Sequence, residues 1–76
     1  MKRYDLRHLG KNFLNRMGEI IKNSQNGEVI IFIFEIGDFS GVQQSADLVE
    51  ALNSTLLNSL QFNQVDWTII VKKGKI

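Results

Sequence analysis

The longest apolar run in the chain is Val29-Ile30-Ile31-Phe32-Ile33-Phe34, bracketed by Glu28 and Glu35 and followed by Ile36-Gly37. It is far short of the about 20 apolar residues that a membrane-spanning helix needs. Its β-branched and aromatic content, with turn formers on both sides, predicts a central β-strand. Side chains alternate across a strand, so Ile30, Phe32, Phe34 and Ile36 share one face and Val29, Ile31 and Ile33 the other. Both faces are therefore apolar, and something has to cover the second one.

The remaining periodicities fall on either side of this strand. Tyr4 and Leu6 alternate with Arg3, Asp5 and Arg7, which predicts a short strand over Lys2–Leu6. From Leu9 to about Lys22 the apolar positions are Leu9, Phe13, Leu14, Met17, Ile20 and Ile21, spaced as one helical face, with Asn12, Arg16, Glu19 and Lys22 opposite. Asn23-Ser24-Gln25-Asn26-Gly27 ends that helix and turns the chain into the central strand. Gly37–Gly41 reads as a loop, with Ser40 as a candidate N-cap. Val42, Ser45, Ala46, Leu48, Val49 and Leu52 then mark a second helix. Leu56 and Leu60 would extend its stripe, but Asn53-Ser54 is a poor helical pair, so the helix is placed to end near Asn53. Thr55–Phe62, Asn63-Gln64 and Val65–Lys72 then form a hairpin, with Leu56, Leu60, Phe62, Val65, Trp67, Ile69 and Val71 on one face.

The order β-α-β-α-β-β predicts one α/β two-layer domain over residues 1–76, since a chain this short cannot build a second core. Its first three elements make a right-handed βαβ unit. If the helices share a core they lie on the same face of the sheet, which leaves the other face open.

Charge is segregated. Residues 1–24 carry Lys2, Arg3, Arg7, Lys11, Arg16 and Lys22 against Asp5 and Glu19; residues 25–66 carry Glu28, Glu35, Asp38, Asp47, Glu50 and Asp66 without a single Lys or Arg. Lys72, Lys73 and Lys75 follow, and the overall charge is only +1. Such a distribution suits an anion or acidic partner for the basic segments. No recognition motif for nucleic acid is present. The chain has no cysteine, which excludes disulfides, thiolate metal sites and cysteine-ligated iron–sulfur clusters. Met1-Lys2-Arg3-Tyr4 does not begin a secretory signal. His8 is the only histidine and has no paired nucleophile, so independent hydrolase or transferase chemistry is not expected. Glu28 and Glu35 lie ~23 Å apart on an extended strand, too far to share a metal ion.

Several landmarks resemble the TusA/SirA family of small sulfur carriers: Asp5-Leu6-Arg7 before the first helix, Asn26-Gly27-Glu28 before the second strand, Glu35-Ile36-Gly37-Asp38-Phe39 after it, Thr55-Leu56-Leu57, and Val71-Lys72-Lys73-Gly74. This resemblance implies a mixed four-stranded sheet of order 1-2-4-3 with two helices on one face. That family's Cys-Pro motif is replaced here by Lys11-Asn12, so sulfur-carrier activity does not carry over. A closer resemblance covers nearly the whole chain. It runs through Met1–Leu9, Phe34–Ser40, Ser45-Ala46-Asp47-Leu48 and Val65–Ile69. These segments resemble the small ε-proteobacterial (Helicobacter-type) protein that takes the place of the E-type subunit of NADH–quinone oxidoreductase, respiratory complex I. The ordinary E-type subunit holds a [2Fe–2S] cluster through four cysteines, a role excluded here. The resemblance implies a cytoplasmic subunit peripheral to the inner membrane, without membrane insertion of its own. Its partners would be other hydrophilic-arm subunits at the electron-input end, where flavin mononucleotide (FMN) is the usual first acceptor.

With strand order 1-2-4-3, the open face gathers Val29, Ile31, Ile33, Leu57 and Ile70, bordered by Glu35, Thr55, Ser59, Gln61, Asp66, Thr68 and Lys72. An apolar patch with a polar rim marks a binding surface. Removing ~300 Å² of it from water is worth about 7 kcal/mol before association costs. An isoalloxazine ring would lie on Ile31, Ile33, Leu57 and Ile70. Trp67 faces the helices in this arrangement but is near enough to the hairpin end to be an alternative stacking partner. Lys72, Lys73 or Lys11 would meet the flavin phosphate. The candidate cofactor-binding residues are thus Ile31, Ile33, Leu57, Trp67, Ile70 and Lys72. The alternative is a cofactor-free docking module, or a homodimer through the open faces, with a monomer the expected state of the isolated protein. On this reading, replacing Ile31 or Ile33 by Ser spares folding and removes binding.

Overall fold

The computed structural model describes residues 2–36 and 40–74, except for the side chain of Lys11. Strand β1 (Lys2–Asp5) leads through a 3-10 segment (Arg7–Asn12) into helix α1 (Phe13–Asn23). Strand β2 (Val29–Glu35), helix α2 (Ser40–Ala51) and strands β3 (Thr55–Gln61) and β4 (Asp66–Lys72) follow. The sheet order is β1-β2-β4-β3, with β1 parallel to β2 and both other pairings antiparallel. The predicted fold is therefore observed: a mixed four-stranded sheet with both helices packed on one face. The loop expected at Gly37-Asp38-Phe39 lies outside the described residues, and Ser40 is the first residue of α2.

Local chemistry sets the helix boundaries. The apolar stripe begins at Leu9, but Gly10 has φ 55° and ψ −126°, which breaks the helix, so α1 starts only at Phe13. At its other end Ser24 Oγ donates to the Ile20 carbonyl at 2.7 Å. Lys73 Nζ reaches back across the sheet to the Ile21 carbonyl at 2.6 Å, placing a cation at the negative end of the helix dipole. Helix α2 stops where the Asn53-Ser54 pair predicts. Asn53 takes the left-handed conformation (φ 56°), its N–H bonds to the Glu50 carbonyl, and the Ser54 N–H bonds to the Val49 carbonyl. This is the Schellman arrangement with Asn in the position usually held by Gly.

The core lies between the helices and one face of the sheet. Phe32, Phe34, Ile30, Ile69 and Val71 meet Met17, Ile21 and Val49, all fully buried. The Phe13 ring stacks on Phe34 with centroids 4.3 Å apart and planes 3° from parallel, and Tyr4 stacks on Phe32 at 5.9 Å. A Cβ at Gly18 would already touch the Leu48 methyls at 3.7 Å, so the glycine sets how closely α2 approaches α1.

One part of the predicted hairpin is overturned. Strict alternation would put Leu56, Leu60 and Phe62 on the helix side together. The β3–β4 register slips between Leu56 and Asn58, so Leu57 is an extra residue in a β-bulge. Leu56 opposes buried Val71 and stays with the core, whereas Leu60 opposes Thr68 and turns to the other face. Ser59 and Gln61, expected on the open rim, instead oppose Ile69 and Trp67 on the helix side. Leu60, Phe62 and Val65 are consequently among the exposed large apolar residues rather than core.

Candidate functional site

The sheet face away from the helices is the candidate site, and the pairing register defines its layout. Arg3 and Asp5 from β1 lie beside Ile31 and Ile33 of β2. On the other side of β2, Lys72, Ile70, Thr68 and Asp66 of β4 oppose Val29, Ile31, Ile33 and Glu35 in turn. Thr55, Asn58 and Leu60 of β3 continue the rows of Lys72, Ile70 and Thr68. Neither helix crosses this face.

Of the residues expected to form the site, Ile31, Ile70 and Leu57 come together with Val29 as a partly exposed apolar strip, and Leu57 retains 44% of its surface. Lys72 lies at one end of it, beside Val29 and Thr55. Leu60 joins the strip through the bulge and is 47% exposed, a member that period-two alternation misses. Trp67 is not among them. It opposes Phe34, packs against the core from the helix side, and donates its indole N–H to Ser59 Oγ at 2.7 Å. Lys73 is engaged at the end of α1 and does not face the strip.

Ile33 also departs from expectation: it is only 2% exposed although it is on the face opposite the core. The cause is a polar bridge from β1 to β4. The Arg7 guanidinium bonds both Asp5 oxygens, through Nη2 at 2.6 Å and Nε at 2.9 and 3.1 Å, and bonds Asp66 Oδ2 through Nη1 at 3.2 Å. Asp5 and Asp66 flank β2 on opposite sides, so the group joining them must pass over β2 at Ile33 and Glu35. Asp66 is itself nearly buried and accepts a second bond from Asn63 Nδ2 at 2.7 Å. The Phe62 ring lies 5.9 Å from the guanidinium. Bonds from Arg7 lower the Asp5 pKa to about 2, and the carboxylates, Asp5 first, raise that of Arg7 above its ordinary value.

The face is thus divided along β2. One end carries Asp5, Glu35 and Asp66 around Arg7, the middle is apolar, and the other end carries Arg3 and Lys72. Thr68 Oγ1, in the row between Ile33 and Leu60, is buried and has no hydrogen-bond partner among the described residues. Chemically this surface suits a flat, largely apolar group with an anionic extension. No carboxylate, thiol or imidazole is arranged on it for proton transfer or nucleophilic attack.

A sequence model of the E-type subunit family of NADH-ubiquinone oxidoreductase matches residues 1–73. The protein belongs to that family. Its fold is also that of a solved structure described as the solution structure of HP1264 from Helicobacter pylori. That protein is 49% identical, with a TM-score of 0.74, and the match covers 99% of the present sequence and 100% of the other. Comparison with curated proteins gave no match. Membership of the E-type family sets the protein in the context of NADH–ubiquinone oxidoreductase. The cluster usual for E-type subunits does not fit here, because no cysteine is available to ligate it. Among the described residues, no helix is long and apolar enough to cross a membrane.

Proposed function

We propose that the protein is a peripheral subunit at the electron-input end of complex I, on the cytoplasmic side, and that it binds FMN on the open face of its sheet. The observation that carries this reading is the exposed strip of Ile31, Ile70, Leu57 and Leu60 on a sheet whose other face is fully packed. A small domain rarely leaves a contiguous apolar strip bare unless something docks on it. The residues present fit the ligand. The strip offers a flat apolar platform for a tricyclic ring, and Lys72 stands at its end to meet a phosphate. Ile33 supports the platform from below the Arg7 bridge rather than touching the ring. Trp67 is a core element held by Ser59 and takes no part.

When bound, FMN would supply the capacity to accept two electrons together and release them singly. The protein's own contribution is to bind and orient: the strip excludes water from one side of the ring, and the polar rim limits where it can sit. Catalysis by the isolated protein is not part of the reading, since no acid, base or nucleophile is set against the strip.

A second reading is favoured by a different observation. The large exposed apolar residues Leu57, Leu60, Phe62 and Val65 all belong to β3 and its turn into β4. That concentration suits a cofactor-free docking surface for another hydrophilic-arm subunit, or for a second copy of the same protein. FMN titration of the isolated protein, followed by flavin fluorescence and backbone amide shifts, separates the two. Flavin binding moves the amides of Val29–Ile33 and Thr68–Val71. Unmoved amides throughout these segments would sink the flavin reading and leave the docking module, whose homodimeric form sedimentation at several concentrations detects.

A further inference from the structure

We propose that Arg3 and Lys72 form a two-cation clamp for the terminal phosphate of the flavin, and so fix which way round the ligand lies on the sheet. The proposal rests on the flavin reading above and extends it to the anionic part of the ligand and to Arg3, a residue that spacing alone did not single out.

The register brings the two cations together. Arg3 lies beside Ile31 on one side of β2, and Lys72 lies beside Val29 on the other. Tyr4 and Val71, their sequence neighbours, pack into the core, so alternation turns Arg3 and Lys72 to the open face. Two strand spacings and a two-residue offset separate their Cα atoms by roughly 12 Å, a gap that two long side chains close over Val29.

Both charges are free to take a ligand. Lys2 is paired with Glu28 at 3.2 Å, Arg7 with Asp5 and Asp66, Arg16 with Glu19, and Lys73 with the carbonyl end of α1. Arg3 and Lys72 have neither an ion pair nor a side-chain hydrogen bond among the described residues. The carboxylate nearest Val29 in sequence, Glu28, does not compete: it holds Lys2 and accepts the Gln25 N–H at 3.1 Å. At the far end of β2, Asp5, Glu35 and Asp66 outnumber Arg7 and repel an anion. A ligand with an apolar ring and a phosphate tail therefore has one favourable orientation. Its ring lies over Ile31, Ile70, Leu57 and Leu60, and its phosphate lies between Arg3 and Lys72.

Riboflavin carries the same ring without the phosphate, which makes it the discriminating probe. Affinities for FMN and riboflavin are measured in parallel on the full-length wild type and on Arg3→Gln, Lys72→Gln and the double variant, at low and high salt. The clamp requires wild type to prefer FMN, with that preference weakened by about three- to five-fold in each single variant and abolished in the double variant. High salt narrows it in wild type, and riboflavin affinity stays constant throughout. Amides near Arg3, Val29 and Lys72 shift with FMN and not with riboflavin. Equal binding of both flavins to wild type, or an FMN preference that survives the double substitution, overturns the clamp and leaves the flavin reading standing. Failure of either flavin to bind wild type removes both. Circular dichroism and urea midpoints of the variants establish that any loss is not unfolding.

Discussion

Phe32 and Ile31 are adjacent on β2 and occupy opposite environments. Phe32 is wholly buried, stacked on Tyr4 and enclosed by both helices, whereas Ile31 faces away from them and keeps part of its surface in contact with water. A single strand thus serves two ends, with alternate side chains assigned to stability and to the outside. The difference teaches that the apolar character of a strand does not reveal which of its residues the fold depends on. The layers on either side decide that.

The comparison is broken most directly by truncating each neighbour. Phe32→Ala should cost about 3–5 kcal/mol, through lost burial and the cavity left behind. A domain of 76 residues has roughly 4–11 kcal/mol in all, so this variant should be largely unfolded or close to it in a urea titration. Ile31→Ala should cost about 1 kcal/mol or less, since much of what it loses is already in water. Similar costs for the two would mean that the open face is covered in solution, by a second copy or another partner.

Ile33 sharpens the comparison, because it lies on the outer face yet is buried beneath the Arg7 bridge. Ile33→Ala should therefore behave as a core truncation and cost about 2–5 kcal/mol, well above Ile31→Ala. The same measurement on Ile33→Ser should show a comparable loss, in contrast to the simple two-faced reading of the strand. If Ile33→Ala proves as mild as Ile31→Ala, the bridge does not persist in solution.

The elements that were legible in the sequence share a cause: their signal is local. Period two over residues 29–35, the three- and four-residue spacing from Phe13 to Ile21, and Asn53-Ser54 at the end of α2 each report on a few neighbours, and each is found as expected. The failures are of two other kinds. A bulge inserts one residue and reverses every side chain after it, so reading β3 by alternation gave Leu60 and Ser59 each other's faces. The Arg7 bridge joins residues 59 positions apart, and nothing near Asp66 in the sequence announces it. Most of the candidate site survived because Ile31, Ile70 and Lys72 depend only on strand order and pleat. Ile33 and Leu60 depended on the bridge and the bulge.

Acid titration probes the bridge at the polar end of the outer face. The folded-state pKa of Asp5 is about 2, below its ordinary 3.8, because of the bonds from Arg7. A depressed carboxylate stabilises the fold at pH values above its ordinary pKa, and that contribution is lost as pH falls through about 4 towards 2. Glu28, lowered by the Gln25 N–H and then by Lys2, adds a loss of the same sign. Arg7→Gln should flatten the Asp5 part of this acid dependence and leave the Glu28 part, as read from thermal midpoints across that range. Both ion pairs include an exposed side chain, so the effect should be small and should shrink further in salt. An unchanged pH profile in Arg7→Gln would mean that Asp5 is held by something other than the bridge.

The smallest effect concerns Thr68, at the centre of the outer face. Its Oγ1 is buried beside Ile33 and Leu60 without a hydrogen-bond partner among the described residues. A buried hydroxyl left unpaired carries a desolvation cost that an apolar group of the same shape does not. Thr68→Val keeps the branched shape and removes the hydroxyl, so it should be neutral or stabilising by up to about 1 kcal/mol in urea denaturation. The opposite sign would show that the hydroxyl finds a partner in solution. If Thr68→Val also leaves FMN affinity unchanged, the outer face binds through its apolar strip and its cationic end, with the hydroxyl a passive part of the sheet. A loss of affinity at undiminished stability would instead move Thr68 into the binding surface and extend that surface towards the Arg7 bridge.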